Sequence, residues 1–511
     1  MDNIYTLYLI FAVLLTLAIA RIQKRKDRFP PGPPGLPVVG NLFNSPKGHS
    51  WLAYQSWSTL YGSDIIHFKL FSNHVFVVSS STVAKELFEK RSNIYSDRHQ
   101  KVMVHELTGW DRNLALMSYS ERWRTHRRHF HQYFRPDAVP AYHPCITTEV
   151  HKLLAAALDA PNDCIKHFRY MAGSATLNIV YAIETQPEDD PILIVAERGA
   201  QCLSEIVNAG SFLVDSVPAL KYVPGWFPGA GWKKQAAVWR EQVDALHFRP
   251  FEIAKAAYDS GNAKPCITTS LLDGLNKSAD KKEYEQMVIN VTALAYQAGT
   301  DTTVTSLTTL VLAMLFYPEV QAAARAEIDR VVGCDRLPEL GDKESLPYIT
   351  AVTKEVLRWH PALPLAVPHR TIEDDEYQGY FIPKGSLVIG NTWAILRDPS
   401  RYANPEMFNP SRFLTSEGTL DPDVPDPTEG FGYGRRICVG RHFAMDIMWL
   451  TVANVLAVFE INESVDAFGR VVKAREEYTT GLFSAPKDMK ATFKPRSAAA
   501  VKLIRSVVAE S

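Results

Sequence analysis

The chain has 511 residues, with 55 basic and 56 acidic side chains for a formal charge of −1, a balance that excludes a typical nucleic-acid binder with its basic footprint. Hydrophobic residues at 46% and charged residues at 22% are ordinary globular proportions and exclude wholesale disorder. The six cysteines, Cys145, Cys164, Cys202, Cys266, Cys334 and Cys438, form no CxxC pair, which excludes a disulfide scaffold, a zinc ribbon and a thioredoxin-like motif and fits a reducing compartment.

The first element is Ile4 to Ala20, an uncharged apolar run at the short end of the ~17–25 residues that span a bilayer. Arg21, Lys24, Arg25, Lys26 and Arg28 follow it and only Asp2 precedes it, so the positive-inside rule keeps everything after Ala20 in the cytosol. The alternative is a cleaved signal peptide ending at Ala18-Ile19-Ala20, but such a peptide carries its basic residues before the apolar run. Residues 1–21 therefore read as a single transmembrane anchor and residues 22–40 as a basic, proline-rich connector. Its Phe29–Gly40 stretch is a stiff extended spacer, because proline fixes φ and lacks a donor; an SH3 or WW ligand is the other reading. Residues 41–511 contain no linker or repeat and read as one domain.

Asp64 to Ser80 is rich in β-branched and aromatic residues on either side of Ser72-Asn73 and predicts a hairpin. In the run Ser120–His131, Trp123 and Arg127 are four apart and share a helix face. His126, His129 and His131 lie among arginines there and read as a solvated basic face rather than a metal cluster. Glu283 to Tyr317, proline-free and stopped by Pro318, predicts one helix of about 50 Å at ~1.5 Å per residue. Inside it Ala298–Thr303, AGTDTT, breaks the pattern, since Gly costs about 1 kcal/mol relative to Ala mid-helix and Asp and Thr are poor interior residues. Such a local violation marks a functional stretch, or else a kink with Thr302 bonded to the carbonyl four residues back. Pro318–Val332 opens on proline and ends at Gly333, and Leu346–His360 is closed by Pro361; both read as helices. Glu355 and Arg358 are three apart on the second, a pair worth under ~1 kcal/mol if exposed. Tyr377–Ile382 and Ser386–Asn391 predict a second hairpin, turned by Pro383-Lys384-Gly385.

The last element is the richest. Gly432, Gly434 and Gly440 surround Cys438 just before an apolar helix pattern that includes Phe443, Ala444, Ile447 and Met448. Glycines allow a tight loop there, and backbone N–H groups with a helix N-terminus favour a thiolate. A lone thiolate without a second ligand at zinc spacing suits one axial bond to a haem iron. The plain alternative is a buried, inert cysteine.

Phe431, Gly434, Arg436, Cys438 and Gly440 give F-x-x-G-x-R-x-C-x-G, and with AGTDTT and the Glu355/Arg358 pair the chain resembles the cytochrome P-450 haem-thiolate monooxygenases, microsomal type, in the manner of fungal secondary-metabolism members. The resemblance implies that fold, mainly α with small β-sheets, behind a transmembrane anchor. It implies haem b held by Cys438 as axial iron ligand beside Phe431, with Arg436, Trp123, Arg127, His369 and Arg98 on the propionates, where cation–carboxylate pairing is strong. Ala298 and Gly299 would open a groove for dioxygen, Thr302 would hydrogen-bond the oxygen, and Asp301 would help relay protons from solvent. Arg412, in NPEMFNPSRF, would complete a buried triad with Glu355 and Arg358, although Ser411 stands where the family usually has glutamate. Val439 likewise stands where many fungal members have proline. Pocket positions fall between Asp97 and Met117 and at Gln297, Ala298, Leu363, Pro364, Leu482 and Phe483, mostly apolar with Gln297 as a polar handle.

The implied reaction inserts one oxygen atom of O2 into a small lipophilic terpenoid, polyketide or indole-type molecule. NADPH-cytochrome P-450 reductase, with cytochrome b5 as a second donor, would supply electrons in the endoplasmic reticulum membrane, with the enzyme single-pass and its catalytic domain on the cytosolic face. Arg122, Arg124, Arg128, Arg435 and Arg441 would form a positive docking patch for that partner, ordinary surface charge being the alternative. Two rivals remain. Against a haem-thiolate isomerase or dehydratase working without O2 stand Thr302 and Asp301, and against a non-catalytic haem-binding membrane protein stands the intact set of Cys438, Thr302, Glu355, Arg358 and Arg412.

Overall fold

A computed structural model describes residues 29–207 and 212–510, so the expected anchor, residues 1–21, and the start of the connector lie outside the described residues. The chain divides into two compact units, one made of the described residues up to His99 with Pro368–Asn391, the other of Gln100–Val367 with Thr392 onward.

The smaller unit holds the β structure that the sequence only half predicts. Strands β1 (Ile65–Leu70) and β2 (Asn73–Val78) pair antiparallel with Leu70 opposite Asn73. The hairpin is where it was expected, but its two-residue turn is Phe71-Ser72, one residue early, with Phe71 at φ 53°. Strands β3 (His369–Arg370), β4 (Asp375–Tyr377), β5 (Tyr380–Ile382) and β6 (Leu387–Gly390) correct the second expectation. Tyr377–Ile382 is not one arm of a hairpin with Ser386–Asn391. It contains a hairpin's turn of its own, β4 to β5 across Gln378-Gly379, both at positive φ (51° and 78°) as the favoured two-residue turn requires. Pro383–Ser386 does turn, with the Ser386 N–H on the Pro383 carbonyl at 3.2 Å, but it leads into β6. That strand carries Val388 and Ile389, buried to 0% and 4% exposure, and lies inside the sheet β1-β2-β6-β3, parallel to β2 and antiparallel to β3. An apolar strand buried on both faces belongs in such a sheet rather than on an exposed ribbon.

The larger unit is helical. Its central helix, Lys281–Phe316, has 36 residues and is ~54 Å long at 1.5 Å per residue. Asp280 caps it by accepting from the Glu283 N–H at 2.9 Å, and Pro318 prevents its continuation. This long helix packs most extensively against Cys164–Tyr181. Helices Pro318–Val331 and Pro347–Trp359 match expectation to within a residue, each opening on proline, and Gly333 takes φ 83° beyond the first. One apolar core joins them to Arg441–Val458, with Phe168, Leu310, Val352 and Trp449 all fully buried. A small sheet of β7 (Phe459–Glu463) and β8 (Ala491–Pro495) closes one side of that core. Among the described residues no single helix is long and apolar enough to cross a membrane.

Candidate active site

Cys438 sits on the loop that precedes Arg441–Val458, its N–H held by the Phe431 carbonyl at 2.8 Å. Gly432 and Gly434 use the left-handed region (φ 86° and 50°), whereas Gly440, at φ −79°, does not. The Cys438 side chain is exposed while Tyr433, Val439 and Phe443 around it are buried. Burial nevertheless dominates its surroundings and pushes the thiol up, opposed by the Gly440 N–H and the charges of Arg127 and Arg441. A crowded side chain with an open tip faces a hollow.

The long helix faces open space at one place too. It is buried from Met287 to Gln297 and again from Thr303 to Met314, but Ala298 between them is exposed. Gly299 does not widen that opening as expected: a Cβ there would lie 2.7 Å from Thr176 Cγ2 on the Cys164–Tyr181 helix. The glycine is required by the close helix crossing, and of the pair Ala298 is the one that faces the hollow. Thr302 Oγ1 donates to the Ala298 carbonyl at 2.7 Å, and Thr303 Oγ1 makes the same bond to Gly299. Thr302 is half-buried and Thr303 buried, as a 100° step around a helix demands. Asp301 is ion-paired with Arg169 at 2.9 Å, and Arg169 reaches Glu197 at 3.6 Å. Burial pushes the Asp301 carboxyl up, with Arg169 opposing.

Cationic groups gather beside the cysteine loop. Trp123, on the helix Glu121–Phe134, is buried with Arg436 4.3 Å and Arg127 5.8 Å from its ring centre. Arg436 donates to the carbonyls of Leu114 and Met117 at 3.4 and 2.8 Å. Arg127 donates to the Ile437 carbonyl at 2.6 Å and has no carboxylate partner among the described residues; burial pushes its guanidinium down to about 10. A half-buried guanidinium without an anion, next to an open thiol, fits a group that brings a thiolate-binding metal and its own carboxylates. Haem meets that description. In the smaller unit, Arg98 donates to the Pro368 carbonyl at 2.9 Å and His369 Nδ1 donates to the Tyr95 carbonyl at 2.7 Å, so those two lie together there.

Glu355 and Arg358 are fully buried, joined at 2.6 and 2.9 Å, and Arg412 Nε reaches Glu355 at 3.1 Å. The loop therefore delivers Arg412 with Ser411 in place. Leu363 and Pro364 lie near Leu482 and Phe483, because the Ser484 N–H bonds the Ala362 carbonyl at 3.0 Å. Gln297 is buried and bonded to Asn113 at 3.0 Å.

His126 corrects the basic-face reading. It is buried, accepting from Asn290 Nδ2 at 3.0 Å through Nε2 while Nδ1 donates to the Arg122 carbonyl, and burial lowers it to about 4. His129 is half-buried edge-on to Tyr284, and His131 is exposed. Among the described residues no group of three or more His, Cys, Asp or Glu side chains is placed to hold a metal ion. The sequence reading missed Arg169 and Asn290, and held Asn113 only as one position of the range Asp97–Met117. Arg169, a third of the way along the helix Cys164–Tyr181 and just before its apolar stretch, was the one of these with a local signal.

Known proteins resemble the chain over nearly its whole length. The family profile of cytochrome P-450 matches residues 30–475. A cytochrome P-450 monooxygenase of Armillaria gallica is 39% identical over 508 residues, covering 99% of both chains. Another, from Postia placenta, is 41% identical over 501 residues, 98% of this chain and 96% of the relative. The tryptamine 4-monooxygenase of Psilocybe cyanescens is 37% identical over 500 residues, 97% of this chain and 98% of the relative. The chain belongs to the cytochrome P-450 family and is a monooxygenase. Members bind haem b through a cysteine thiolate and use dioxygen, a redox partner and small substrates.

Proposed function

We propose that this monooxygenase is a membrane-anchored, single-pass enzyme of the endoplasmic reticulum, facing the cytosol, that oxidises a lipophilic secondary metabolite of terpenoid, polyketide or indole type. The observation that carries the reading is the exposure of Cys438 and of Ala298, each among neighbours (Val439 and Phe443, Ala295 and Tyr296) that are buried in one apolar core. A relative named for tryptamine supports an indole as one such substrate. Bound haem b supplies the iron that activates dioxygen. Cys438 would hold it through sulfur, and Arg127, Arg436 and Trp123 would engage its carboxylates, a role the resemblance also gives to Arg98 and His369. Ala298 borders the space above. Thr302 Oγ1, whose one proton is donated to the Ala298 carbonyl, keeps lone pairs to accept a hydrogen bond from water, so it would order the water that carries protons inward, and Asp301 would help bring those protons from solvent. Glu355, Arg358 and Arg412 hold the loop.

The apolar run Ile4–Ala20 supports the anchor, and exposed Tyr222 and Trp226, at 78% and 80%, support a lipid-facing patch on the body. Arg122 and Arg128, exposed and without carboxylate partners among the described residues, support docking of an acidic electron donor, NADPH-cytochrome P-450 reductase, with cytochrome b5 as a second donor; Arg124 is already engaged by Glu121 at 2.6 Å. The decisive experiment is spectral. A reduced, carbon-monoxide-treated sample shows the red-shifted Soret band of thiolate ligation, and NADPH is consumed only when reductase, O2 and a substrate from a terpenoid, polyketide and indole screen are all present. A histidine-type spectrum rejects the reading.

A further inference from the structure

We propose that Gln297, oriented by Asn113, presents hydrogen-bond donors to the hollow and selects lipophilic substrates that carry an acceptor such as a carbonyl oxygen; this rests on the monooxygenase reading above. The orientation follows from one backbone group. The Ala115 N–H bonds the Asn113 side chain at 2.9 Å, and an N–H only donates, so the atom it meets is Oδ1. The other end of Asn113 is then Nδ2, which donates to Gln297 at 3.0 Å, so that atom is Oε1. Gln297 is left with Nε2 and two N–H donors that have no partner among the described residues, although the side chain is only 5% exposed. A buried amide is normally satisfied, and an unpaired one waits for a ligand or water.

The place is the right one. Ala298, the next residue, faces the hollow, and Gln297 Nε2, although unpaired, is not among the fully buried unpaired atoms and so keeps contact with open space. Asn113–Met117 spans from Gln297 to Arg436, two residues before Cys438, through its Leu114 and Met117 carbonyls. The Gln297 amide therefore stands in the wall between the long helix and the cysteine loop. A hydrocarbon lying there leaves both N–H groups dry and unpaired, whereas a carbonyl oxygen satisfies one.

The test uses full-length holoenzyme and the shift of its haem absorption on titration with matched ligands: tetralin and tetralone, decalin and decalone, fluorene and fluorenone. The wild type binds the ketone about tenfold tighter than the hydrocarbon in at least one pair, the size of one net hydrogen bond. Gln297→Leu removes that preference by weakening the ketone and not the hydrocarbon. Asn113→Asp, isosteric and assayed at pH 8, offers an acceptor where Nδ2 was, so Gln297 turns over and the preference passes to tetralol or fluorenol. A wild type that binds no ketone, or none better than its hydrocarbon, overturns the proposal, as does a ketone preference that survives Gln297→Leu or Asn113→Asp. A wild type without the thiolate Soret band fails before any ligand is added, which separates loss of the underlying reading from loss of this one.

Discussion

Replacing Glu355 with alanine tests how the loop of residues 403–412 is held. Glu355 and Arg358 are both fully buried, and all five Arg358 donors are used: two bonds to Glu355, and one each to the carbonyls of Leu396, Pro405 and Met407 at 3.1, 2.8 and 3.1 Å. Glu355 also accepts from the Asn409 N–H at 2.8 Å and from Arg412 at 3.1 Å. Glu355→Ala therefore leaves a guanidinium charge uncompensated at full burial, which costs about 3–5 kcal/mol, and strands two further donors. Against a typical total of about 5–15 kcal/mol, that loss lowers the urea midpoint sharply and reduces haem retained per protein. The damage falls on residues 403–409, whose carbonyls Arg358 and Arg412 hold. Trp359 reports on it, because its Nε1 donates to the Glu406 carbonyl at 2.9 Å. Removing both buried charges, Glu355→Ala with Arg358→Met, recovers part of the loss. A single-variant cost under about 1 kcal/mol, the value of an exposed pair, refutes the reasoning, as does a double variant with no recovery.

Cys438→Ala abolishes the thiolate spectrum and turnover, whereas alanine at Cys145, Cys164, Cys202, Cys266 or Cys334 leaves both; absorption of the reduced carbon-monoxide complex checks this. Thr302→Ala keeps haem and diverts electrons from NADPH to hydrogen peroxide, and Thr303→Ala, buried 100° away, does so much less; equal peroxide release by the two removes the role given to Thr302. Gly299→Ala brings a methyl to within 2.7 Å of Thr176 Cγ2 and costs about 1–3 kcal/mol of overpacking, offset by up to ~1 kcal/mol of helix propensity, and Thr176→Ser, which removes that methyl, restores the urea midpoint. Arg169→Met removes the charge that opposes burial at Asp301, so the carboxyl rises further above its usual range; its neutral form then persists to higher pH, and the pH profile of coupled turnover moves in the alkaline direction.

What was legible in the sequence was local. Pro318, Pro347 and Pro361 punctuate the helices within a few residues of their ends, so their extents could be read directly. The cysteine loop was legible because its glycines and arginine are near neighbours of Cys438. Pairings over long separations were not. Strand β6 chose β2, about 310 residues earlier, over the nearer β5, because its apolar residues fit a buried sheet. Arg169 meets Asp301 across 132 residues and Asn113 meets Gln297 across 184, and nothing in either local pattern names the partner. Gly299 was legible as a signal and misread in cause, since a missing Cβ serves a ligand or a crossing helix equally well from sequence alone.

The six residues from Gln297 to Thr302 explain why the AGTDTT stretch violates helix preference without interrupting the helix. Each step turns about 100°, so consecutive side chains meet different neighbours. Gln297 meets Asn113, Ala298 the hollow, Gly299 Thr176, and Asp301 Arg169, while Thr300 lies with its hydroxyl 3.4 Å from that of Thr176. Polar, small and acidic residues are needed in quick succession because the environments change at that pitch. The flanks compensate. Met287–Tyr296 and Thr303–Met314 are buried almost throughout, and the Thr292, Thr303, Thr305, Thr308 and Thr309 hydroxyls bond carbonyls of their own helix, so their polar atoms cost the core little. Packing on both sides thus fixes the axial position and rotation of the central turn. Ala298 and Thr302, four residues apart, share a face turned to the hollow. A rigid helix places them there; a loop would not hold a hydroxyl to the tolerance that proton transfer requires.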